Sequence, residues 1–298
     1  MPNNAESPAF VYKPVPLTKK LHTSVYGAMD PSQPSVSQAG KTVFITGGSA
    51  GIGYAIANNF ALAGADKIII TGRTRQKLDE AMARLAHDHS DCDTKFEAVV
   101  SLIRCLTNLG ANAVHVDVLV LNAALNVEGT LSGQGWEKTW EQFVVNTRAL
   151  HQLCDRLHRQ DVQRKRKYHI VNVSTGAIHD FGSPKNLSSY SLTKASGTLL
   201  LQKLADEKDA SKTQIVSFHP GAILTDQARE KGMTETTMNW DDVSLPSAFA
   251  VWCASGEAAF LHGRFVWSAW DVDELKSGPI RDRLGKDGQF LRIGVHGL

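Results

Sequence analysis

The sequence predicts an α/β fold, a doubly wound parallel sheet of about seven strands with helices on both faces, in a single domain. Two observations carry this reading. Short β-branched runs alternate with longer helical stretches: "TVFIT" (42–46), "KIIIT" (67–71), "KFEAVV" (95–100), "VDVLVL" (116–121), "HIVNV" (169–173), "QIVSF" (214–218) and "GRFVW" (263–267). The runs are continuously apolar rather than alternating, as strands buried on both faces are, and parallel neighbours need crossovers, which are normally helical.

The elements follow in order. Six of the ten prolines fall before residue 35, and no apolar period runs through that stretch, so residues 1–38 read as an extended arm laid over a domain spanning 39–298. After the first strand, Ile52, Ala55, Ile56, Phe60 and Ala63 fall on one helical face. The turn between them, "TGGSAGIG", brings Gly47, Gly51 and Gly53 straight into that helix. Glycines there let the backbone turn tightly and approach a pyrophosphate, whose charge meets the free N–H groups and positive dipole end of the helix. The spacing is G-x-x-x-G-x-G, and the bland alternative is a plain glycine turn.

The second strand ends "TGRTRQ". An acid near this point binds the ribose hydroxyls of NAD, whereas an arginine accommodates the 2'-phosphate of NADP. Gly72 stands where the acid would be and Arg73 follows, which favours NADP(H) over NAD(H), although Ala50 supplies no second basic group.

Composition excludes other classes. With 32 Lys+Arg against 30 Asp+Glu and 42% hydrophobic residues, the chain gives no electrostatic reason to expect nucleic acid or an anionic membrane. The basic run "QRKRK" (163–167) reads as a solvated helix end. No signal-peptide order is present and no apolar stretch approaches the roughly 20 residues that span a bilayer, so the expected location is cytoplasmic. Cys92, Cys105, Cys154 and Cys253 are widely spaced and read as reduced packing residues. "HDHSDCD" (87–93) reads as a polar loop, and no metal is expected.

The chemistry lies in "LSSYSLTKASG", where Tyr190 and Lys194 stand four apart and share a helix face. A neighbouring ammonium favours phenolate and pulls a phenol's pKa toward the working pH, so Tyr190 becomes a proton donor or acceptor tuned by Lys194. Together with "TGGSAGIG", "LNAA" (121–124), "VVNTRA" with Asn146, "NVSTGA" (172–177), "YSLTK" and "HPGAILT" (219–225), the chain from Gly40 to about Asp273 resembles the short-chain dehydrogenase/reductase family, whose fold is of the Rossmann type.

The resemblance implies an NADP-dependent enzyme that moves a hydride between nicotinamide and a carbonyl or secondary alcohol of a small organic substrate. It implies Tyr190 as acid/base, Lys194 also holding the nicotinamide ribose, and Asn146 holding a water in the proton relay. The family reads Asn-x-Ser-Ser where this chain reads "NVST", so the substrate-binding hydroxyl falls to Thr175, with Ser174 as the fallback. Cofactor contacts are implied for Ser49 and Ile52 in the glycine turn, Asn122 beside the adenosine, and Pro220, Gly221, Ile223 and Thr225 near the carboxamide. Residues 223–246, with Met233, Met238 and Trp240, are implied as a mobile lid. Members usually place an acid after strand three; "FEAVVSLIRCL" has none, Ser101 is the substitute, and the link onward to Asn122 is short. A homodimer or homotetramer is implied, and the arm and the ending "RFVWSAWDVDELK" resemble fungal members, many of secondary metabolism. The other reading is a catalytically idle relative that binds NADP(H) as a sensor or interaction protein.

Overall fold

The structure, a computed structural model, describes residues 11–100, 115–160 and 166–295. Ser101, Cys105, most of the connection that the sequence marks as short, and the first three residues of the basic run lie outside them. Seven strands form one parallel sheet: β1 (Thr42–Thr46), β2 (Lys67–Gly72), β3 (Lys95–Val100), β4 (Val118–Leu121), β5 (Tyr168–Val173), β6 (Thr213–His219) and β7 (Arg264–Trp267). Their order across the sheet is β3-β2-β1-β4-β5-β6-β7. The chain winds outward to β3, then returns to lay β4 on the other side of β1, which leaves a crevice at the carboxyl ends of β1 and β4.

Both faces are covered, which explains the unbroken apolar runs. Val43, Ile45, Ile68, Ile70, Val118, Val120, Val171, Val216 and Phe218 point into one core, against α1 (Gly51–Leu62), α2 (Arg75–Asp88) and other elements on that face. The alternate residues Phe44, Ile69, Leu119, Leu121, Ile170 and Ile215 point into the opposite core. Of the predicted face of α1, Ile56, Phe60 and Ala63 are buried while Ile52 and Ala55 are half-buried. Cys154 and Cys253 are buried free thiols and Cys92 is exposed.

The second face is built by α3 (Trp136–Phe143), one π turn (Val144–Arg148), α4 (Ala149–His158) and α5 (Ser188–Asp206). The π turn pushes the Asn146 carbonyl toward α5, where a Cβ on Gly197 would stand 2.4 Å from it. Glycine is required there because the obstacle is backbone, which cannot swing aside. Further on come α6 (Asp226–Glu230), α7 (Ser244–Cys253), α8 (Val272–Lys276) and α9 (Gly278–Lys286). Among the described residues, no helix is long and apolar enough to cross a membrane.

Residues 11–38 run from the carboxyl edge of the sheet to its amino edge along the β7 side. Met29 and Val36 are fully buried in the first core, worth about 1.5–3 kcal/mol each. Trp270 Nε1 donates to the Val15 carbonyl at 2.7 Å, Val272 N donates to Tyr26 Oη at 2.7 Å, and His22 stacks on Tyr26 while meeting Asp271 at 2.9 Å.

Gly197→Ala should lower unfolding stability by about 1–3 kcal/mol, read from denaturant midpoints, because the two helices must part to admit a methyl group. An unchanged midpoint would mean that the contact is soft.

Candidate active site

The site begins where β1 ends. Gly47 and Gly51 hold left-handed backbone (φ 68° and 54°), which only glycine adopts without strain. A Cβ on Gly53 would lie 2.2 Å from the Gly47 carbonyl oxygen. The residue preceding α1, Ala50, offers no side-chain cap, so the first N–H groups of this twelve-residue helix stay free. Strand end, left-handed turn and uncapped helix together fit a dinucleotide pyrophosphate. Thr225 approaches the same point, 3.4 Å from where a Cβ of Gly51 would be. Arg73 is exposed at the end of β2 and forms no salt bridge among the described residues. Ser49 Oγ lies against Gly72, 3.2 Å from a Cβ built there, and Ile52 is half-buried in the first turn of α1.

Asn122, which the resemblance sets beside the adenosine with its backbone at the end of β4, turns its side chain to the glycine turn. Its Nδ2 donates to the Thr46 and Gly47 carbonyls at 3.0 and 3.2 Å, which braces the glycine turn from β4. Thr46, which sequence reasoning passed over, receives the backbone N–H of Asn122 and Ala123 at 2.9 and 3.0 Å and so ties β1 to β4 at the crevice. Its place as the first letter of "TGG" was the available signal.

The candidate catalytic residues converge from β5 and α5. Lys194 is 3% exposed, and its Nζ donates to the Val173 carbonyl at 2.6 Å, at the end of β5. Ser174 is buried with its hydroxyl bonded to Thr198 at 2.7 Å, whereas Thr175 Oγ1 accepts from Ala177 N at 3.3 Å and keeps its own hydrogen to donate. The Tyr190 hydroxyl makes no hydrogen bond among the described residues. The sequence leads one to expect Lys194 to pull the phenol down. Instead burial pushes Tyr190 up to about 12 and Lys194 down to about 8. Desolvation disfavours both charged forms, and the lysine spends a proton on a backbone carbonyl rather than on the phenol.

Asn146 braces the site with its side chain: Oδ1 accepts from Leu125 N at 2.8 Å, and Nδ2 donates to the Leu125 carbonyl and Thr193 Oγ1 at 2.8 and 3.0 Å. It therefore locks the segment after β4 to α5, with both amide hydrogens engaged and one lone pair of Oδ1 left to accept. Thr193, three residues after Tyr190, is the partner that no motif had singled out.

The turn after β6 holds buried Pro220 and left-handed Gly221 (φ 90°). Asp241 clasps it: its carboxylate accepts from Ala222 N at 3.0 Å and its own N–H donates to the Ala222 carbonyl at 2.7 Å, in register with Ile223. Burial raises this carboxyl to about 6. The span from 223 to 246 contains α6 and then folds back; Trp240 Nε1 donates to Thr234 O, and Lys231 reaches Glu128 at 2.7 Å, beyond β4. Met233 and Met238 are half-buried within it. A cavity of about 320 Å³ opens on the opposite face of α5, lined by Ile178, Phe181, Ser188, Ser191, Leu192 and Ala195 among others, and borders the loop after β5 at Ala177. Among the described residues, no group of three His, Cys, Asp or Glu could hold a metal ion.

Residues 41–236 match the family described as short chain dehydrogenase. A short chain dehydrogenase/reductase of Claviceps purpurea is 33% identical over 291 residues, covering 95% of this chain and 96% of that protein. The short chain dehydrogenase/reductase AacuD of Aspergillus aculeatus is 32% identical, covering 93% and 96%. Among solved structures, a putative 2-deoxy-d-gluconate 3-dehydrogenase of Agrobacterium tumefaciens with bound NADP superposes with a TM-score of 0.66 at 22% identity, covering 79% of this chain and 97% of that one.

Ultraviolet difference titration of the cofactor-free protein against its Tyr190→Phe variant should detect no phenolate from this residue below about pH 10, because a raised phenol stays protonated until the pH passes its folded value. A midpoint near neutrality would mean that Lys194 holds an ionised phenol after all.

Proposed function

This chain belongs to the short chain dehydrogenase/reductase family, and from that premise we propose that it is an NADP(H)-dependent oxidoreductase that reduces a carbonyl of a small organic substrate, or oxidises the matching secondary alcohol, in secondary metabolism. The observation that carries the reading is the Tyr190 hydroxyl, desolvated and uncommitted, on the same helix face as a buried lysine.

When bound, a nicotinamide carries the hydride to or from the substrate carbon. The rest is work for the chain's own residues. Tyr190 Oη donates its proton to the carbonyl oxygen; a phenol near 12 is protonated across the neutral range, which favours the reductive direction. Thr175 hydrogen-bonds the same oxygen: among the described residues its Oγ1 only accepts, from Ala177 N, whereas Ser174 Oγ already shares a hydrogen bond with Thr198. Lys194, at about 8, exchanges a proton near neutrality and is the group placed to restore the phenol. Gly47, Gly51 and Gly53 and the first turn of α1 would hold the pyrophosphate, and Pro220, Gly221, Ile223 and Thr225 would face the carboxamide.

The choice of NADP(H) over NAD(H) is supported by Arg73, exposed and in no salt bridge among the described residues, by Gly72 in place of an acid, and by the NADP in the similar Agrobacterium protein. A homodimer or homotetramer is supported by exposed Trp136 and Trp140 on α3 and Leu192 and Leu199 on α5. The second reading, an idle NADP(H) binder, draws on the Lys194 ammonium being turned to Val173.

Tyr190→Phe separates the two. Turnover of NADPH with a panel of carbonyls should fall by roughly 10²–10⁴-fold, the usual share of a general acid, while NADPH fluorescence still reports binding. Binding without turnover in the unaltered protein would favour the idle reading. Arg73→Glu should weaken NADPH relative to NADH by about 10–100-fold in Kd, the loss of a charged hydrogen bond to phosphate; an unchanged ratio would remove Arg73 from that role.

A further inference from the structure

The arm ends its described course at the active site. Tyr12 stands 30 residues before the first strand, yet its side chain reaches the carboxyl ends of β6 and β7. Its hydroxyl is hydrogen-bonded with His219 Nε2 at 2.8 Å, and its ring stacks on Trp267 with centroids 6.2 Å apart and planes 9° from parallel. Its backbone is clasped by one side chain of the lid: Tyr12 N donates to Asn239 Oδ1 at 2.6 Å, and Asn239 Nδ2 donates back to the Tyr12 carbonyl at 2.8 Å.

Each contact leads to a part of the site. His219 is the last residue of β6 and immediately precedes Pro220 and Gly221. Asn239 lies two residues before Asp241, which holds Ala222 from both its amide and its carbonyl. Trp267 and His219 together lie behind Gly176, the neighbour of Thr175, at 3.1 and 3.4 Å from where its Cβ would be. Trp267 Nε1 also donates to His179 at 3.2 Å, on the far side of the same loop. Thus a single residue outside the catalytic fold touches the carboxamide turn, the returning arm of the lid and the backing of the loop that carries the candidate hydroxyl.

We propose that Tyr12 is a positioning residue of the active site, through which the amino-terminal arm sets the closed geometry of the lid and of the Pro220–Thr225 turn over the substrate. The inference rests on the proposed oxidoreductase reading for its kinetic arm only. Two hydrogen bonds to a side-chain amide and one to an imidazole are enough to bias a loop between open and closed by about tenfold. The stack on Trp267 fixes the direction from which they act.

The experiment compares Tyr12→Phe, Tyr12→Ala and Asn239→Ala in the full chain. Limited trypsin digestion reads the lid directly, because Arg229 and Lys231 sit within it. Tyr12→Ala and Asn239→Ala should each be cleaved there about tenfold faster than the unaltered protein, with Tyr12→Phe between, while the thermal midpoint hardly moves because Met29 and Val36 still anchor the arm. In turnover, KM for the carbonyl should rise about tenfold with kcat little changed, and the Tyr12→Ala and Asn239→Ala effects should not add. Equal cleavage rates, or additive effects with unchanged KM, would overturn the proposal. An absence of turnover in every form would count against the oxidoreductase reading, and the cleavage rates would still decide the role of Tyr12.

Discussion

Every strand of the sheet points the same way, and that constraint makes a site out of residues spread over more than two hundred positions. Thr46, Gly72, Leu121, Val173, His219 and Trp267 are the last residues of their strands and lie along one edge. A parallel sheet has no choice in this: each crossover must carry the chain back to the amino edge, so each strand delivers its following loop to the carboxyl edge. The glycine turn after β1, the Thr175 loop after β5 and the long connection after β6 are three such loops. The switch in winding direction beside β1 then parts two of them and leaves a crevice, which Thr46 and Asn122 keep at a fixed width by bonding across it.

The sheet itself was legible because it is buried on both faces. Unbroken runs such as "TVFIT" leave no alternating register of polar residues, and β1 and β3 begin and end where the predicted strands do. The predicted strand starting at Val116 begins instead at Val118, and just before it Asp117 joins β1 to β5, its N–H donating to the Thr42 carbonyl, its carbonyl accepting from His169 N and its carboxylate accepting from Thr42 N at 2.8 Å. The motif residues were also legible as a set, since spacing alone puts Tyr190 and Lys194 on one face. What each polar group bonds to was not. Asn122 and Asn146 stand where the motifs put them, yet both spend their amides on the backbone of a neighbouring element, and such long-range pairings leave no period in a sequence. Tyr12 is a similar case: a tyrosine in a proline-rich arm carries no local signal of what it will meet 207 residues on.

The sequence has Lys194 drawing the Tyr190 phenol toward the working pH, whereas in the structure burial holds the phenol protonated and brings the ammonium nearer to losing its proton. Both shifts have one cause. Removing a charged group from water costs the charged form, so the acid rises and the base falls, to about 12 and about 8. Coulomb attraction reverses this only where the partner charge is aimed at the group, and Lys194 is aimed at Val173. Ionising such a phenol at pH 7 costs roughly 7 kcal/mol by the usual conversion, which is a large penalty for a base and none for an acid.

The same desolvation explains why this region needs so much bracing. A dry pocket strengthens each polar contact and also penalises each one left unmade, so loops that surround it must be satisfied by the protein rather than by water. Asp241 illustrates the cost: it bonds the Ala222 amide, yet burial still lifts its carboxyl to about 6. The proposed lid, were it to open and close, could not be fixed by a core of its own, because an apolar anchor would have to be exposed at each opening. Hydrogen bonds to a fixed outside element solve this, since they exchange with water at small net cost. The arm is suited to be that element, being tied down by Met29 and Val36 in the core and, three residues from Tyr12, by Trp270 at Val15.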